Sequence, residues 1–386
     1  MTTLKTEPST KTGGVEIPGT GTTLDSIFSG VVASAASDGA ADLSVLVISQ
    51  NGIPRWVIPE NARRAIRVLT SWKPYRLKSR AQWSAIVGAC RLNVLGALPR
   101  VRREILRFNP AYWSRRIPGF SNSWSIVAYI GNPFPTRKAL LFFVDKNGKV
   151  QAVVKMPIYP AAKAAILNEA NILAKMRDRL PLPNILFVDE QDGIAAQSWI
   201  EGVNLPRAFR AEHLELLARL ASENARVRLS DWREPLADRI VRNQPAVDPA
   251  LLVRALSLLD LRDEMKSCVE HGDFTPWNLR RLEDGRLTLI DWEWAIEAGL
   301  PWQDICRYFY LQDYLFREDA NVWNILMTHP LLAEYRLRLK LTPEMVRGLT
   351  ARFLLRYLCD EQEEGNREKV KYAARKLLEI LDNSKN

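Results

Sequence analysis

Asp273, Asn278 and Asp291 carry the residue types and the spacing from which chemistry can be built. They belong to the runs Cys268–Leu279 and Leu289–Glu293, and the residues between, Leu279 to Ile290, alternate apolar and polar around Asp284-Gly285. That pattern predicts a short hairpin with a tight turn. A hairpin brings its two ends together, here Asp273 and Asn278 on one side and Asp291 on the other. Two carboxylates and one amide oxygen at a rigid base suit a hard cation that keeps several waters and shares its remaining ligands with phosphate. Asn278 and Asp291 are the natural ligands for such an ion. Asp273, on the loop that enters the hairpin, can face a substrate hydroxyl while the ion faces a nucleotide. Phosphoryl transfer needs this division of labour, because the protein contributes mostly positioning and charge neutralisation. The plainer alternative is a polar turn between two strands, since Asp, Asn and Gly are ordinary turn residues. It accounts for any one of these residues more readily than for all of them at this spacing.

The run His271-Gly272-Asp273-Phe274-Thr275-Pro276-Trp277-Asn278, followed by Ile290-Asp291-Trp292-Glu293 and Gly299-Leu300-Pro301-Trp302-Gln303-Asp304, resembles the aminoglycoside phosphotransferase and choline kinase family. These are small-molecule kinases with a protein-kinase-like fold. The resemblance implies an α+β, bilobal architecture with an antiparallel-sheet N-lobe and a helical C-lobe. The expected division is a disordered segment 1–41, a basic α+β extension 42–120, an N-lobe 121–200, and a helical C-lobe 201–386 that carries the catalytic hairpin. The resemblance also implies Asp273 as catalytic base, Asn278 and Asp291 as magnesium ligands, and Asp304 as a buried anchor for the catalytic loop. The implied cofactors are ATP (or GTP) and Mg²⁺.

The remaining elements must position a nucleotide against that hairpin. Ser123–Gly131, Lys138–Val144 and Val150–Lys155 read as three strands joined by short loops. The first loop, Gly131 to Lys138, stands where a kinase-like fold puts its phosphate-covering loop. It has one glycine and two prolines, and Pro133 and Pro135 offer no N–H to a phosphate. Lys138 is then the candidate phosphate contact, against the alternative of a plain exposed lysine. Lys155 ends an apolar strand, an odd place for a charge without a partner. Glu169 follows in a helix whose apolar side carries Ile166, Leu173 and Met176. The run Glu169-Ala170-Asn171-Ile172-Leu173 is similar to the family's lysine-pairing helix, which implies that Glu169 holds Lys155 on the α- and β-phosphates. A lysine snorkelling to water is the alternative. Asn184–Asp189 and Gly193–Ile200 read as two more strands. In this fold, backbone groups from Ser198 to Ile200 would meet the adenine. Ala211–Val227, Pro249–Val269 and Trp302–Leu381 read as helical.

Composition narrows the setting. The 386 residues are 47% hydrophobic and 25% charged, an ordinary globular balance, and no apolar run approaches the ~20 residues of a membrane span. The Thr-, Ser-, Gly- and Ala-rich start lacks a basic-then-apolar signal pattern. Four scattered cysteines and three histidines argue against a disulfide framework, structural zinc or a histidine metal site. A cytoplasmic address follows. The net charge of +10 is concentrated between Asn61 and Phe120, where fourteen Arg or Lys stand against one acid, Glu104. Trp72, Tyr75, Trp83, Tyr112 and Trp113 are interleaved with those arginines. Such a segment suits an anionic surface or polymer, including a peripheral place on a membrane, or it is a solvated basic face over a small aromatic core. No nucleic-acid motif is present.

The expected acceptor is a hydroxyl of a small molecule. The degenerate loop and Trp292-Glu293-Trp294 resemble members linked to bacterial polysaccharide synthesis, which favours a sugar or glycolipid. An aminoglycoside-like polycation fits less well with a basic chain, although Glu293, Glu297, Asp313 and Glu318 could line an acidic pocket. A catalytically silent, nucleotide-binding scaffold for a partner or membrane surface is the rival from another class. A eukaryotic-type protein kinase is not expected, because no Ala-Pro-Glu segment follows Asp291.

Overall fold

The computed structural model describes residues 24–28, 41–72, 74, 77–132 and 136–382. Most of segment 1–41, Tyr75 and Pro133–Pro135 of the 131–138 loop lie outside them. The chain forms two compact units, residues 1–177 with 182–201, and residues 178–181 with 202–386.

The first unit is built on an eight-stranded antiparallel sheet. Its strands are β1 (Ala41–Gln50), β2 (Ile53–Pro59), β3 (Val101–Phe108), β4 (Ser125–Ile130), β5 (Lys138–Val144), β6 (Val150–Pro157), β7 (Ile185–Asp189) and β8 (Ile194–Gln197), in the order β3-β1-β2-β4-β5-β6-β8-β7. Asn51 and Gly52 both take left-handed backbone, with φ of 52° and 77°. Two such residues make the hairpin turn whose twist matches that of its strands. Trp56 pairs with Tyr129 and Val57 with Ala128. The strands of the basic segment therefore continue the sheet that begins at Ser125. β3 was not expected. Charges at Arg102, Arg103, Glu104 and Arg107 hide it from a hydrophobic pattern, and charge is what an edge strand uses to avoid further pairing.

Alternation along the strands gives the sheet two apolar faces. On one, Ala152, Val154 and Met156 pack with Phe143 and Trp113 of the helical turn α4 (Pro110–Ser114). On the other, Val127, Phe142 and Val153 pack with Val68 and Leu69 of α2 (Ile66–Ser71) and with Val87 and Cys90 of α3 (Leu77–Leu92). Trp56, Trp72, Trp83 and Tyr129 of this layer have ring centroids 4.3–5.3 Å apart. These aromatics are therefore spent on packing. Within the stretch read as disordered, α1 (Leu24–Ile27) is one helical turn whose Leu24 and Ile27, with Phe28, are buried in the first layer. The apolar triplet at helical spacing supplies burial that the surrounding Thr, Ser and Gly do not. The fifth helix, α5 (Ala161–Met176), turns Ile166 and Ala170 onto Ala195 of the sheet.

The second unit holds two three-stranded sheets and eight helices among its described residues. One sheet has the order β10-β11-β14, made of Ala221–Arg228, Glu264–Glu270 and Ile296–Gly299. The other, β13-β12-β9, is made of Leu287–Leu289, Leu279–Arg281 and Val203–Asn204. The helices are α6 (Ala211–Leu220), α7 (Arg233–Asn243), α8 (Pro249–Ser257), α9 (Gln303–Phe316), α10 (Val322–Thr328), α11 (Pro330–Leu339), α12 (Pro343–Glu363) and α13 (Arg367–Asp382). The helical readings of 211–227 and 249–269 are corrected. α6 stops at Leu220 and β10 follows, and α8 stops at Ser257 before β11. β11 pairs with β10 on one side and β14 on the other, burying Met265, Cys268 and Val269. Non-local pairing of that kind overrides local spacing.

All four cysteines, Cys90, Cys268, Cys306 and Cys359, are buried free thiols. Among the described residues, no helix is long and apolar enough to cross a membrane. Trp113, 1% exposed, anchors the aromatic cluster of the first unit through Phe143 and Tyr112. Trp113→Ala is expected to cost about 3–5 kcal/mol through lost burial and an unfilled cavity. Chemical denaturation checks this as a shift of midpoint with unchanged slope.

Candidate active site

β11 delivers the chain into the loop His271–Asn278, and an unusual turn on the facing segment holds that loop. Trp302 is buried and left-handed, with φ of 76°, a conformation a bulky residue adopts only when its surroundings impose it. The turn starts α9 and points the Asp304 carboxylate back at the loop. Asp304 Oδ2 accepts from the His271 N–H at 2.8 Å and Oδ1 from the Gly272 N–H at 3.0 Å. Burial raises the Asp304 carboxyl to about 7, helped by the nearby Glu270 charge and opposed by the two N–H bonds.

The loop's own side chains complete its shape. The Asp273 N–H donates to His271 Nδ1 at 3.2 Å, so the ring proton sits on Nε2, 3.1 Å from the Ile290 carbonyl oxygen. A fully buried imidazole thus ties the loop to the far end of the hairpin, with Trp292 edge-on at 4.6 Å. Gly272 has φ of +80°, and a Cβ there would lie 2.3 Å from the Trp294 carbonyl oxygen. Only glycine fits.

The hairpin closes as its alternation predicts. Leu279 pairs with Leu289 and Arg281 with Leu287, and the Ile290 N–H donates to the Asn278 carbonyl at 3.0 Å. Asn278 and Asp291 are thereby brought to the same end, beside Asp273. The Asn278 amide spends its N–H groups on Asp273, 2.9 Å from the carbonyl oxygen and 2.8 Å from Oδ2. With the amide nitrogen on Asp273, Asn278 Oδ1 lies on the other side of the amide as an acceptor. Asp291 is itself left-handed, φ 68°.

Sequence reasoning missed a set of charged residues. One helical turn beyond Asp304, Arg307 contacts Asp273 Oδ1 through Nε and Nη2, both at 3.1 Å. Glu270, 2% exposed, accepts from the Leu300 N–H at 2.7 Å and faces Arg352 at 3.7 Å and Arg356 at 3.3 Å. The Asp304 to Arg307 spacing is visible on a helix. The arginines of α12 are not, because nothing local distinguishes Arg352 from a surface residue.

In the first unit, the Lys155 ammonium lies 2.6 Å from Glu169 Oε2, with both side chains under one-tenth exposed. Leu140 pairs with Lys155 and Lys138 with Pro157, so the Lys138 and Lys155 side chains alternate onto one sheet face. Ala195 pairs with Lys155 across the next strand, and the chain then runs through Ser198 to Ile200. The Ser198 N–H donates to the Asn184 carbonyl at 2.8 Å, and its hydroxyl accepts from the Asn184 N–H at 2.9 Å. Next to Lys138, Arg137 is 3% exposed, with Nε on the Gly131 carbonyl at 3.1 Å. It was also missed.

Two outcomes follow for the loop. Gly272→Ala is expected to destabilise the protein by about 2 kcal/mol or more, from left-handed strain plus the carbonyl clash, read by denaturation. For Asp304, the folded protein keeps a proton that the unfolded chain releases near 3.8. The stability this group adds is full below that value and is lost as pH rises through about 7. The stability of the wild type relative to Asp304→Asn should therefore fall between pH 5 and pH 8 by denaturation. A flat difference would show Asp304 ionised throughout.

The model of the APH phosphotransferase enzyme family matches residues 139–340. Among solved structures, the chain is similar to aminoglycoside phosphotransferase APH(4)-Ia, with 17% identity, 68% of this chain and 94% of that one covered, and a TM-score of 0.48. Choline kinase LicA from Streptococcus pneumoniae gives 14% identity, coverage of 69% and 92%, and a TM-score of 0.47. A macrolide 2'-phosphotransferase type I gives 19% identity, coverage of 66% and 90%, and a TM-score of 0.45. Comparison with curated protein sequences gives no match. The family match takes in just over half of the chain, from the strand that pairs with Lys155 to the end of α11, and the chain belongs to the phosphotransferase enzyme family.

Proposed function

We propose that the chain transfers the γ-phosphoryl group of ATP (or GTP) to a hydroxyl of a small molecule. The observation that carries this reading is the gathering of Asp273, Asn278 and Asp291 at one end of the hairpin, with the Asn278 amide turned so that its oxygen faces away from Asp273. Asp273 orients the acceptor hydroxyl and takes its proton as the acceptor oxygen bonds to the γ-phosphorus. The bond from that phosphorus to the β-bridging oxygen breaks, and the nucleoside diphosphate leaves. Asn278 Oδ1 and the Asp291 carboxylate are hard oxygen donors of the kind magnesium takes, and they would hold Mg²⁺. When bound, the ion neutralises phosphate charge. Lys155, set by Glu169, holds the α- and β-phosphates, and Lys138 adds a further phosphate contact. Ser198 spends its N–H and hydroxyl on Asn184, so contact with an adenine edge falls to its carbonyl and to the backbone through Ile200.

The favoured acceptor is a sugar or glycolipid hydroxyl rather than an aminoglycoside-like polycation. The place of action is the cytoplasm, where ATP is available. The basic residues 61–120 carry the charge that an anionic membrane or polymer would meet, alongside their reading as a solvated basic face.

Asp273→Ala should lower turnover at least a hundredfold while nucleotide affinity stays within a few-fold. Asp291→Ala should instead weaken nucleotide binding only when Mg²⁺ is present, as calorimetry with and without the ion would show. Wild-type turnover in Asp273→Ala would remove Asp273 from its role. Wild-type ATP consumption no greater than that of Asp273→Ala, across a panel of hydroxyl acceptors, would favour the silent-scaffold reading.

A further inference from the structure

Behind Arg307, the second unit has a cleft of about 40 Å³ lined by Gly272, Arg307, Phe353, Arg356, Tyr357 and Asp360. It has room for about three waters, the bulk of one carboxylate or phosphate head. Each carboxylate along it is already engaged. Glu270 faces Arg352 and Arg356 and accepts from Leu300 N–H. Asp304 accepts two backbone N–H groups, and Asp360 is 2.7 Å from Arg239. Each of these acids therefore already meets a guanidinium or backbone N–H donors.

The spare hydrogen-bonding capacity has the opposite sense. Arg307 spends Nε and Nη2 on a single oxygen of Asp273. Arg356 spends Nη1 on Glu270, and its Nε stands 3.9 Å from Asp360. A guanidinium has five N–H donors in a planar fork, so each keeps an edge unspent. Both side chains are about one-quarter exposed. Phe353 and Tyr357 stack at 6.0 Å with planes 5° apart, giving the cleft an aromatic wall.

We propose that this cleft is an anion subsite for the phosphoryl acceptor, so that the hydroxyl compound carries a carboxylate or a phosphate held by the free edges of Arg307 and Arg356. The inference rests on the phosphotransferase reading of Asp273. Arg307 touches both the candidate base and the subsite, which fixes the distance between the acceptor's anionic group and its reacting hydroxyl. A neutral sugar leaves two guanidinium edges unpaired, and an amino sugar brings like charge to them.

Calorimetric titration of the full-length protein tests this with matched probes: galactose against galacturonate, and glucose against glucose 6-phosphate and glucosamine. The acid of at least one pair should bind tenfold or more tightly than its neutral partner, with glucosamine the weakest. The galacturonate and glucose 6-phosphate arms separate a carboxylate from a phosphate. Arg356→Gln should erase the preference, and Arg356→Lys should restore part of it. The wild-type series stands even if a variant folds poorly. Equal binding of charged and neutral probes, or no binding of any, overturns the subsite. ADP release on the same probes judges the parent reading separately. Anion-selective binding without ADP removes the kinase and keeps the cleft. ADP formed on neutral or cationic probes alone keeps the kinase and removes the cleft.

Discussion

The second unit is arranged around one costly act, the burial of the Asp304 carboxylate. Removing a carboxylate from water costs several kcal/mol, and the loop's backbone supplies the compensation. The His271 and Gly272 N–H groups have no strand partner at that point, and each gains a bond to a charged or half-charged oxygen. Each such bond is worth about 1.5–3 kcal/mol when the acceptor is ionised. The trade holds the loop's shape with bonds internal to the protein. The left-handed Trp302, two residues upstream of Asp304, starts the helix from which this side chain reaches the loop.

From the same helix, Arg307 reaches Asp273 and so couples loop anchoring to the electrostatics of the candidate base. Two guanidinium nitrogens at 3.1 Å hold Asp273 Oδ1 in one direction. The other oxygen of Asp273 is taken up by Asn278. Both oxygens are therefore fixed in direction before an acceptor arrives, the preorganisation that a positioned reaction requires. Glu270, one residue before the loop, repeats the principle with two arginines of α12 and the Leu300 N–H.

What could be read from the residues alone follows from how local each signal is. The hairpin between Asn278 and Asp291 was legible because alternation and a turn dipeptide lie within a dozen residues. That Lys155 needs a partner was legible because a charge ends an apolar strand, and the family resemblance of the Glu169 helix supplied which residue it is. Strands β3, β10 and β11 were not, because their partners lie far along the chain and their own residues are as charged as a surface. The arginines that face Glu270 come from a helix more than eighty positions away. No spacing rule connects them. The aromatic and basic residues between Asn61 and Phe120 left two readings open, and packing accounts for most of the aromatics, Trp72 and Trp83 against Trp56 and Tyr129, and Phe108, Trp113 and Phe120 against Phe143.

The four sequestered cysteines have a practical bearing on handling. Burial pushes the Cys90 thiol up to about 11 and those of Cys268 and Cys359 to about 12, and raises Cys306 further still. Thiolate is the reactive form, so alkylating reagents and mild oxidants have almost nothing to attack until the interior opens. Modification of a native sulfur then becomes a clock for that opening, with Cys90 reporting on one unit and the other three on the second. A single cysteine introduced at the surface would take a fluorophore or spin label selectively, with every native thiol left in place.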